Sequence, residues 1–480
     1  MGAELFFLIA AIVAGLYMAW NIGANDVANS MGTSVGSRSL TIRQAVVAAG
    51  IANFAGAVLV GSHVTETVRK GMFDPLSFDP TVLMCGMLAA LLAAGVWLQL
   101  ASYFGLPVST THTIVGAVIG FAVVAGGAAG IKWAKVSSIV ASWVISPLLS
   151  GCLAAAIFTI VRNKIINAQD PIHATRRYTP FLVFVVFFVL GLVILFKGVG
   201  KLHLDLELGQ ALAVSAIIGA LAAVFGWVLI GRAQISASDL RRARAAQQVA
   251  ARAQLAEHIE RALDSLRGAQ ALSSERLAED FQRLAAELEY VLREVQETIP
   301  TRPRTGEKRF RFVERVFASL QVVSACSVAF VHGANDVANA IGPMAAVISV
   351  AREGVASLTV AVPLWMLAVG GCGIGLGIAM WGYRVMATVG KKITALTPTR
   401  GFSAEFAAAA TVALASRLGL PVSTTHTLVG AVLGVGIARG LESLNWRVVR
   451  HIISSWLITL PAGAGLAIMF YALLRLIFVH

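Results

Sequence analysis

The sequence predicts an all-α polytopic membrane protein: about twelve transmembrane helices in two related halves, with a soluble helical insert between them. Three observations predict this. Hydrophobic residues make up 57% of the 480 residues and charged residues only 13%, against roughly 25% charged in an ordinary soluble domain. Apolar stretches near 20 residues recur throughout, long enough for a bilayer core of ~30 Å. Two polar strings each occur twice, in the same order. Gly-Ala-Asn-Asp-Val-Ala-Asn stands at 23–29 and 333–339, and Gly-Leu-Pro-Val-Ser-Thr-Thr-His-Thr starts at Gly105 and Gly419. The second copies lie 310 and 314 residues downstream, so order and spacing survive duplication.

The apolar stretches place spans at roughly 4–21, 42–62, 80–102, 111–129, 137–161, 179–198, 208–230, 317–334, 356–381, 402–418, 423–438 and 452–476. The first does not read as a signal peptide, because Glu4 stands where a basic region belongs. Cys85, Cys152, Cys326 and Cys372 lie singly in apolar segments and read as small buried hydrophobes. Residues 232–316 break the pattern, holding 16 of the 38 Lys/Arg and 13 of the 25 Asp/Glu. Within them Leu277, Phe281, Leu284, Leu288, Val291 and Val295 follow helical spacing, and Leu255, Ile259, Ala262 and Leu266 repeat the rhythm upstream. This predicts a helical hairpin followed by a Pro/Arg linker, either a solvated connector or a partner-binding module. The resulting organisation is a first membrane repeat (1–161), two additional helices (162–231), the insert and linker (232–316) and a second repeat (317–480).

Loop charges give a topology. With the insert cytoplasmic, outward counting puts both termini outside. The loop with Arg38 and Arg43 then falls inside, and its partner with Arg352 and Glu353 outside. The loop around Lys70, Asp74 and Asp79 falls outside, and its partner with Arg384, Lys391, Lys392 and Arg400 inside. Opposite bias in equivalent loops, and an odd number of spans between the motifs, predict inverted repeats in the cell or inner membrane. On this reading the net charge of +13 belongs to cytoplasmic loops in contact with lipid, not to nucleic-acid binding.

Four acids sit away from loops: Asp26, Glu66, Asp336 and Glu405. A mid-membrane carboxylate costs ~3 kcal/mol on insertion scales, so each needs a partner or a cavity. A coupling cation suits this need. Asn25, Asp26 and Asn29 offer oxygens at helical spacing, and Asn335, Asp336 and Asn339 repeat the set, so Na⁺ is a candidate at Asp26 and at Asp336. Gly23 and Gly333 suggest an unwound backbone whose carbonyls complete the shell. Glu66 and Glu405 have no duplicate and are assigned to coupling, gating or structure.

The Ser-Thr-Thr strings read as an oxyanion clamp. Pro107 and Pro421 end the preceding helices and favour new starts just beyond. Ser109, Thr110 and Thr111, and likewise Ser423, Thr424 and Thr425, then occupy first helical turns. There unpaired backbone N–H groups and the positive dipole end favour an anion. His112 and His426 lie one turn deeper and either orient this site or touch its ligand. Trp143 and Trp456, matched between the halves, read by default as interface anchors.

The duplicated strings resemble the signature of the inorganic phosphate transporter (PiT) family, over about 1–161 and 317–480. Residues 64–71 and Gly401-Phe-Ser-Ala-Glu405 resemble further segments of that family. The resemblance implies phosphate symport driven by Na⁺ or H⁺, by a homodimer, without another cofactor and without enzymatic activity. It also leaves sulfate or metal–phosphate complexes as alternative cargoes. One departure stands out: where members often carry a glutamate in the third span, this chain reads Cys85-Gly-Met-Leu-Ala-Ala-Leu. An anion channel is the competing class outside symport, and it would need a continuous polar pore; the polar residues here cluster in two patches. A membrane hydrolase would need a nucleophile motif or metal triad, and neither accompanies the histidines.

Overall fold

The computed structural model describes the chain except residues 1, 62–71, 197–206, 233–254, 271–274, 298–305, 355–361, 418–421 and 480. The described residues form fourteen α-helices and no strand apart from one isolated bridge, Phe73 to Ile131. In chain order these are α1 (Gly2–Gly36), α2 (Ile42–Val60), α3 (Pro80–Tyr103), α4 (Thr110–Gly126), α5 (Trp133–Val161), α6 (Pro171–Phe196), α7 (Leu208–Arg232), α8 (255–270), α9 (Glu275–Glu297), α10 (Gly306–Glu353), α11 (Leu364–Ala387), α12 (Pro398–Arg417), α13 (Thr424–Arg439) and α14 (Trp446–Phe478).

Nine of these are long and apolar enough to cross a membrane: α1, α2, α3, α5, α6, α7, α10, α11 and α14. The other three predicted spans are different in kind. The helices α4 and α13 have 17 and 16 residues, short of the ~20 that a spanning helix needs. The 20-residue α12 carries Arg400, Glu405 and Arg417. Large apolar side chains such as Val13, Ile51, Leu148, Leu457 and Leu476 lie exposed on the helical surface. A surface of this kind is unfavourable in water and fits lipid. The protein is an integral multi-pass membrane protein. Cys85 is buried as the sequence suggests, but Cys152 and Cys372 are exposed, on that same surface.

The chain divides into two compact units. One comprises 1–163, 179–226 and 317–480, and the other 164–178 and 227–316. In the second unit α8 packs on α9 through Ile259, Leu263 and Ala285, with Leu288, Leu292 and Val295 against them. An Arg267–Glu289 ion pair at 2.6 Å joins the two helices. In the first unit α6 and α7 meet closely where Gly219 faces the Phe184 carbonyl and Gly191 faces Ser215.

The backbone does not unwind at Gly23 or Gly333. Both α1 and α10 run through their motifs as continuous helix. Close approach explains the glycines instead. A Cβ on Gly23 would sit 1.9 Å from the Ile374 carbonyl oxygen, and one on Gly333 1.9 Å from the Asn53 carbonyl oxygen. The reverse contacts match: Gly377 against Trp20 O at 1.8 Å and Gly56 against Phe330 O at 1.9 Å. Helix α1 of the first half therefore packs on α11 of the second, and α2 packs on α10. The same exchange recurs where Gly430 and Gly434 of α13 meet Pro147 and Gly151 of α5, and Gly116 and Gly120 of α4 meet Leu460 and Ala464 of α14. Small residues permit such backbone contact in membrane helices, where dispersion and not water expulsion holds helices together.

Overpacking a tight contact costs about 1–3 kcal/mol. Gly23→Ala and Gly333→Ala should therefore each lower the thermal unfolding temperature of the purified protein and its folded yield. Gly375→Ala, with nothing within 4 Å of its Cβ position, should leave both unchanged. A differential scanning measurement of all three variants checks the contrast.

Candidate functional site: two helix starts between the repeated motifs

The first helix start is built by a sequence of local devices. Helix α3 ends at Gly105, whose φ of 66° is in the left-handed region that suits glycine. The Gly105 N–H donates to Ser102 O and the Leu106 N–H to Ala101 O, the bond pattern of a Schellman motif. This turn sends the chain into Pro107, which cannot continue a helix. Asn25 of α1 then grips the connector. Its Nδ2 donates to Leu106 O at 3.0 Å and Ser102 Oγ at 3.1 Å, and its Oδ1 accepts from the Val108 N–H at 3.2 Å. Asn25, predicted as an ion ligand, has its carboxamide engaged on both ends by these bonds.

Helix α4 opens with Ser109 as N-cap, its Oγ accepting from the His112 N–H at 3.2 Å; α13 opens with Ser423 in the same role toward His426, also at 3.2 Å. Thr113 and Thr427 donate back to the cap carbonyls at 2.8 and 2.7 Å. The two starts are near copies. A serine hydroxyl that accepts from a backbone N–H still carries a hydrogen to donate, so capping leaves each cap serine able to face an anion. Ser109, Thr110, Ser423, Thr424 and Thr425 are buried, and Thr111 is half-buried. Residues 418–421, with Pro421, lie outside the described residues.

Side chains from one half meet the helix start of the other. Asn29 of α1 donates to Asp26 Oδ1 at 3.1 Å and to Thr425 Oγ1 of α13 at 2.8 Å. Thr425 in turn donates to Val108 O at 3.2 Å. Asp26 hydrogen-bonds the Thr110 side chain and lies close enough to Asp336 for the two charges to interact. Asp336 and Asn339 are buried like Asp26 and Asn29, while Asn335 is half-buried. Two oxygens in this cluster, Asp26 Oδ2 and Asn29 Oδ1, are buried without a hydrogen-bond partner among the described residues. Uncompensated buried oxygens are costly, and a hard cation is a chemically fitting partner for them.

The histidines and tryptophans form a stack. The His112 and His426 rings meet edge to face, 4.2 Å apart; Trp143 lies 3.5 Å from His112 and Trp456 3.7 Å from His426. Trp143 is buried and Trp456 half-buried. Interface anchoring is thereby overturned for this pair, because both rings face protein.

Glu405 stands apart from this cluster, in a polar pocket of its own. It is fully buried, and its Oε1 accepts from Thr33 and from Ser34 at 2.9 Å. Gln321 of α10 lies beside it at 3.4 Å and accepts from Ser37 and Ser39, each at 2.7 Å. Thr33 lies two turns along α1 from Asp26, about 10 Å. Sequence reasoning missed Gln321, Ser102, Thr33 and Ser34. Each is a single polar residue in an apolar run, and only the fold shows which of them meet. Glu66 falls outside the described residues.

The model of the Phosphate transporter family matches residues 22–467, spanning both motif pairs. The chain belongs to the phosphate transporter family. It is 43% identical over 467 residues to "Inorganic phosphate transporter 2-1, chloroplastic" of Arabidopsis thaliana, covering 96% of this chain and 71% of that protein. It is 40% identical over 469 residues to a "Putative phosphate permease" of Haemophilus influenzae, covering 97% and 96%. A solved structure described as "The sodium-dependent phosphate transporter" superposes with a TM-score of 0.74 at 37% identity, covering 98% of this chain and all of that one. The family is one of transporters, and the protein is not an enzyme.

The grip of Asn25 gives a test. Asn25→Ala removes three hydrogen bonds, one to the last turn of α3 and two to the α3–α4 connector, each worth about 1 kcal/mol. It should weaken phosphate binding by at least about tenfold with helix content unchanged, as measured by equilibrium binding and circular dichroism on purified protein.

Proposed function

We propose that the protein is a cation-coupled phosphate symporter that works by alternating access at a site shared by its two halves, with Na⁺ as the coupling ion. The observation that carries this reading is the Asn29–Thr425 hydrogen bond. Asn29 belongs to the acid–amide set suited to a cation, and Thr425 belongs to the helix start suited to an anion. A cation held by Asp26 and Asn29 lowers the electrostatic cost of an anion beside it, and by linkage the anion strengthens the cation's binding equally. The likeness to a structure described as a sodium-dependent phosphate transporter favours Na⁺ over H⁺.

Ser109, Thr110, Thr111 and Ser423, Thr424, Thr425 supply hydroxyl and backbone donors to the phosphate oxygens. Asp26 and Asp336 hold coupling charge, and Glu405, enclosed by hydroxyls and Gln321, gates or couples from the second pocket. Phosphate is favoured over sulfate because monohydrogen phosphate can donate a hydrogen bond to a carboxylate. Sulfate at neutral pH cannot, and it would leave a buried acceptor unpaired. The exchanged packing of α1 on α11 and α2 on α10 supports halves that are inverted repeats, and the loop charges put the insert in the cytoplasm.

Reconstitution decides the reading. Radiolabelled phosphate uptake into proteoliposomes should be concentrative under an inward Na⁺ gradient alone and weak under a pH gradient alone. Absence of phosphate uptake under both would reject it, and uptake driven only by pH would reassign the coupling ion. In the same assay Asp26→Asn and Asp336→Asn should each abolish concentrative uptake while the protein remains folded. Thr111→Val keeps shape and removes one donor to a charged oxygen, worth ~1.5–3 kcal/mol. Phosphate affinity should fall roughly 10- to 150-fold.

Inversion has its own test. Ser77 and Ala395 are exposed, so single cysteines at these positions in a background lacking the four native cysteines should react with an impermeant reagent from opposite faces of intact cells. Labelling of both from one side would rule inversion out.

A further inference from the structure

We propose that Trp143, His112, His426 and Trp456 are positioning residues: a four-ring keystone that fixes the separation of the two helix starts and thereby the size of tetrahedral anion they clamp. The proposal rests on the phosphate site assigned above and adds residues that do not themselves bind phosphate.

The two helix starts create a problem that the stack answers. Each presents the positive end of a helix dipole, equivalent to roughly half an elementary charge. Two such ends aimed at one anion repel each other whenever the anion is absent. A neutral brace holds them without adding charge, and aromatic stacking supplies one. The stack is continuous across the halves, with ring spacings of 3.5, 4.2 and 3.7 Å from Trp143 through His112 and His426 to Trp456. Its inner members stand three residues past each N-cap, and their backbone N–H groups are the ones that the cap serines accept. Ring position and cap position are therefore linked through one residue in each half.

Two further bonds cross between halves. Trp456 of α14 donates its Nε1–H to Pro107 O, in the connector that leads into α4, at 3.0 Å. The His426 ring Nδ1 lies 3.3 Å from Trp143 O of α5. Each helix start is thus tied to the stack by a ring of its own half and a bond from the other.

The histidine nitrogens argue for a role through shape. Nε2 of His112 and Nε2 of His426 are both buried with no hydrogen-bond partner among the described residues. A histidine retained for its donor or acceptor would have that atom engaged. The one side-chain bond of the pair is His426 Nδ1 to Trp143 O, and what both rings present to their neighbours is a thin planar aromatic surface.

The discriminating experiment measures equilibrium affinity of the purified full-length protein for phosphate and for arsenate, a larger anion of the same charge and protonation. Wild type should bind phosphate more tightly. His112→Ala should weaken phosphate binding about 10-fold and shrink the phosphate-to-arsenate ratio, because a loosened clamp accepts the larger anion. His112→Phe keeps a ring between Trp143 and His426, loses both nitrogens, and should restore affinity and ratio to within about threefold of wild type. His426→Ala should match His112→Ala, and the double alanine variant should fall well short of the product of the single effects, as for members of one unit.

Three results would overturn the keystone while leaving the phosphate site intact: unchanged affinity in both alanine variants, a phenylalanine variant as defective as the alanine one, or weakened phosphate binding with an unchanged ratio. Failure of wild type to bind phosphate would overturn the site reading and the keystone with it.

Discussion

Everything at the centre of this protein depends on backbone-to-backbone contact between helices of opposite halves. Gly23 lies against Ile374 and Gly333 against Asn53, so close that a single methyl group would overlap a carbonyl oxygen. These contacts sit three residues before Asp26 and Asp336. They set how near the two acid-bearing helices lie to their neighbours, and hence whether Asn29 can reach across to Thr425. In an apolar medium no expulsion of water draws helices together, so contact area and hydrogen bonds do that work. Glycine makes the contact area available, and the polar side chains then become the second fastening.

That double duty explains the polar residues better than ligand binding alone. In lipid every buried polar group must find a partner inside the protein. Asn25 finds three, one in the last turn of α3 and two in the α3–α4 connector. Thr425 joins Asn29 to the Val108 carbonyl, and Gln321 joins two serines of the α1–α2 end to the pocket of Glu405. Most of the conspicuous polar side chains are thus part of the scaffold. Among the atoms left over, three belong to the acid–amide sets: Asp26 Oδ2, Asn29 Oδ1 and Glu405 Oε2 are buried without partners among the described residues. Three oxygens of this kind, on acids and an amide, fit transport of a cation alongside an anion.

On the proposed reading, the two helix starts handle a charged cargo without fixed positive side chains. No lysine or arginine belongs to either Ser-Thr-Thr-His string. Backbone N–H groups and hydroxyls carry the positive potential instead. A lysine would hold an anion tightly in one state and resist its release, and a pair of dipole ends holds it only while they stay together. Transport requires both capture and release, so attraction that depends on geometry suits the task better than attraction that depends on charge.

The sequence by itself determined the membrane class, the duplicated strings, and the helix starts at Ser109 and Ser423. Those follow from local rules: hydropathy, proline as a helix terminator, serine as an N-cap and strings long enough to exceed chance. It misassigned the glycines as points of unwinding, because flexibility and close approach favour the same residue and only a neighbour distinguishes them. It misassigned Trp143 and Trp456 because an indole inside an apolar helix has no sequence mark for what lies against it. Tertiary structure decided each of these, for one physical reason. Composition and spacing fix what a side chain is able to do, but which of those abilities is used depends on the group that packing places beside it.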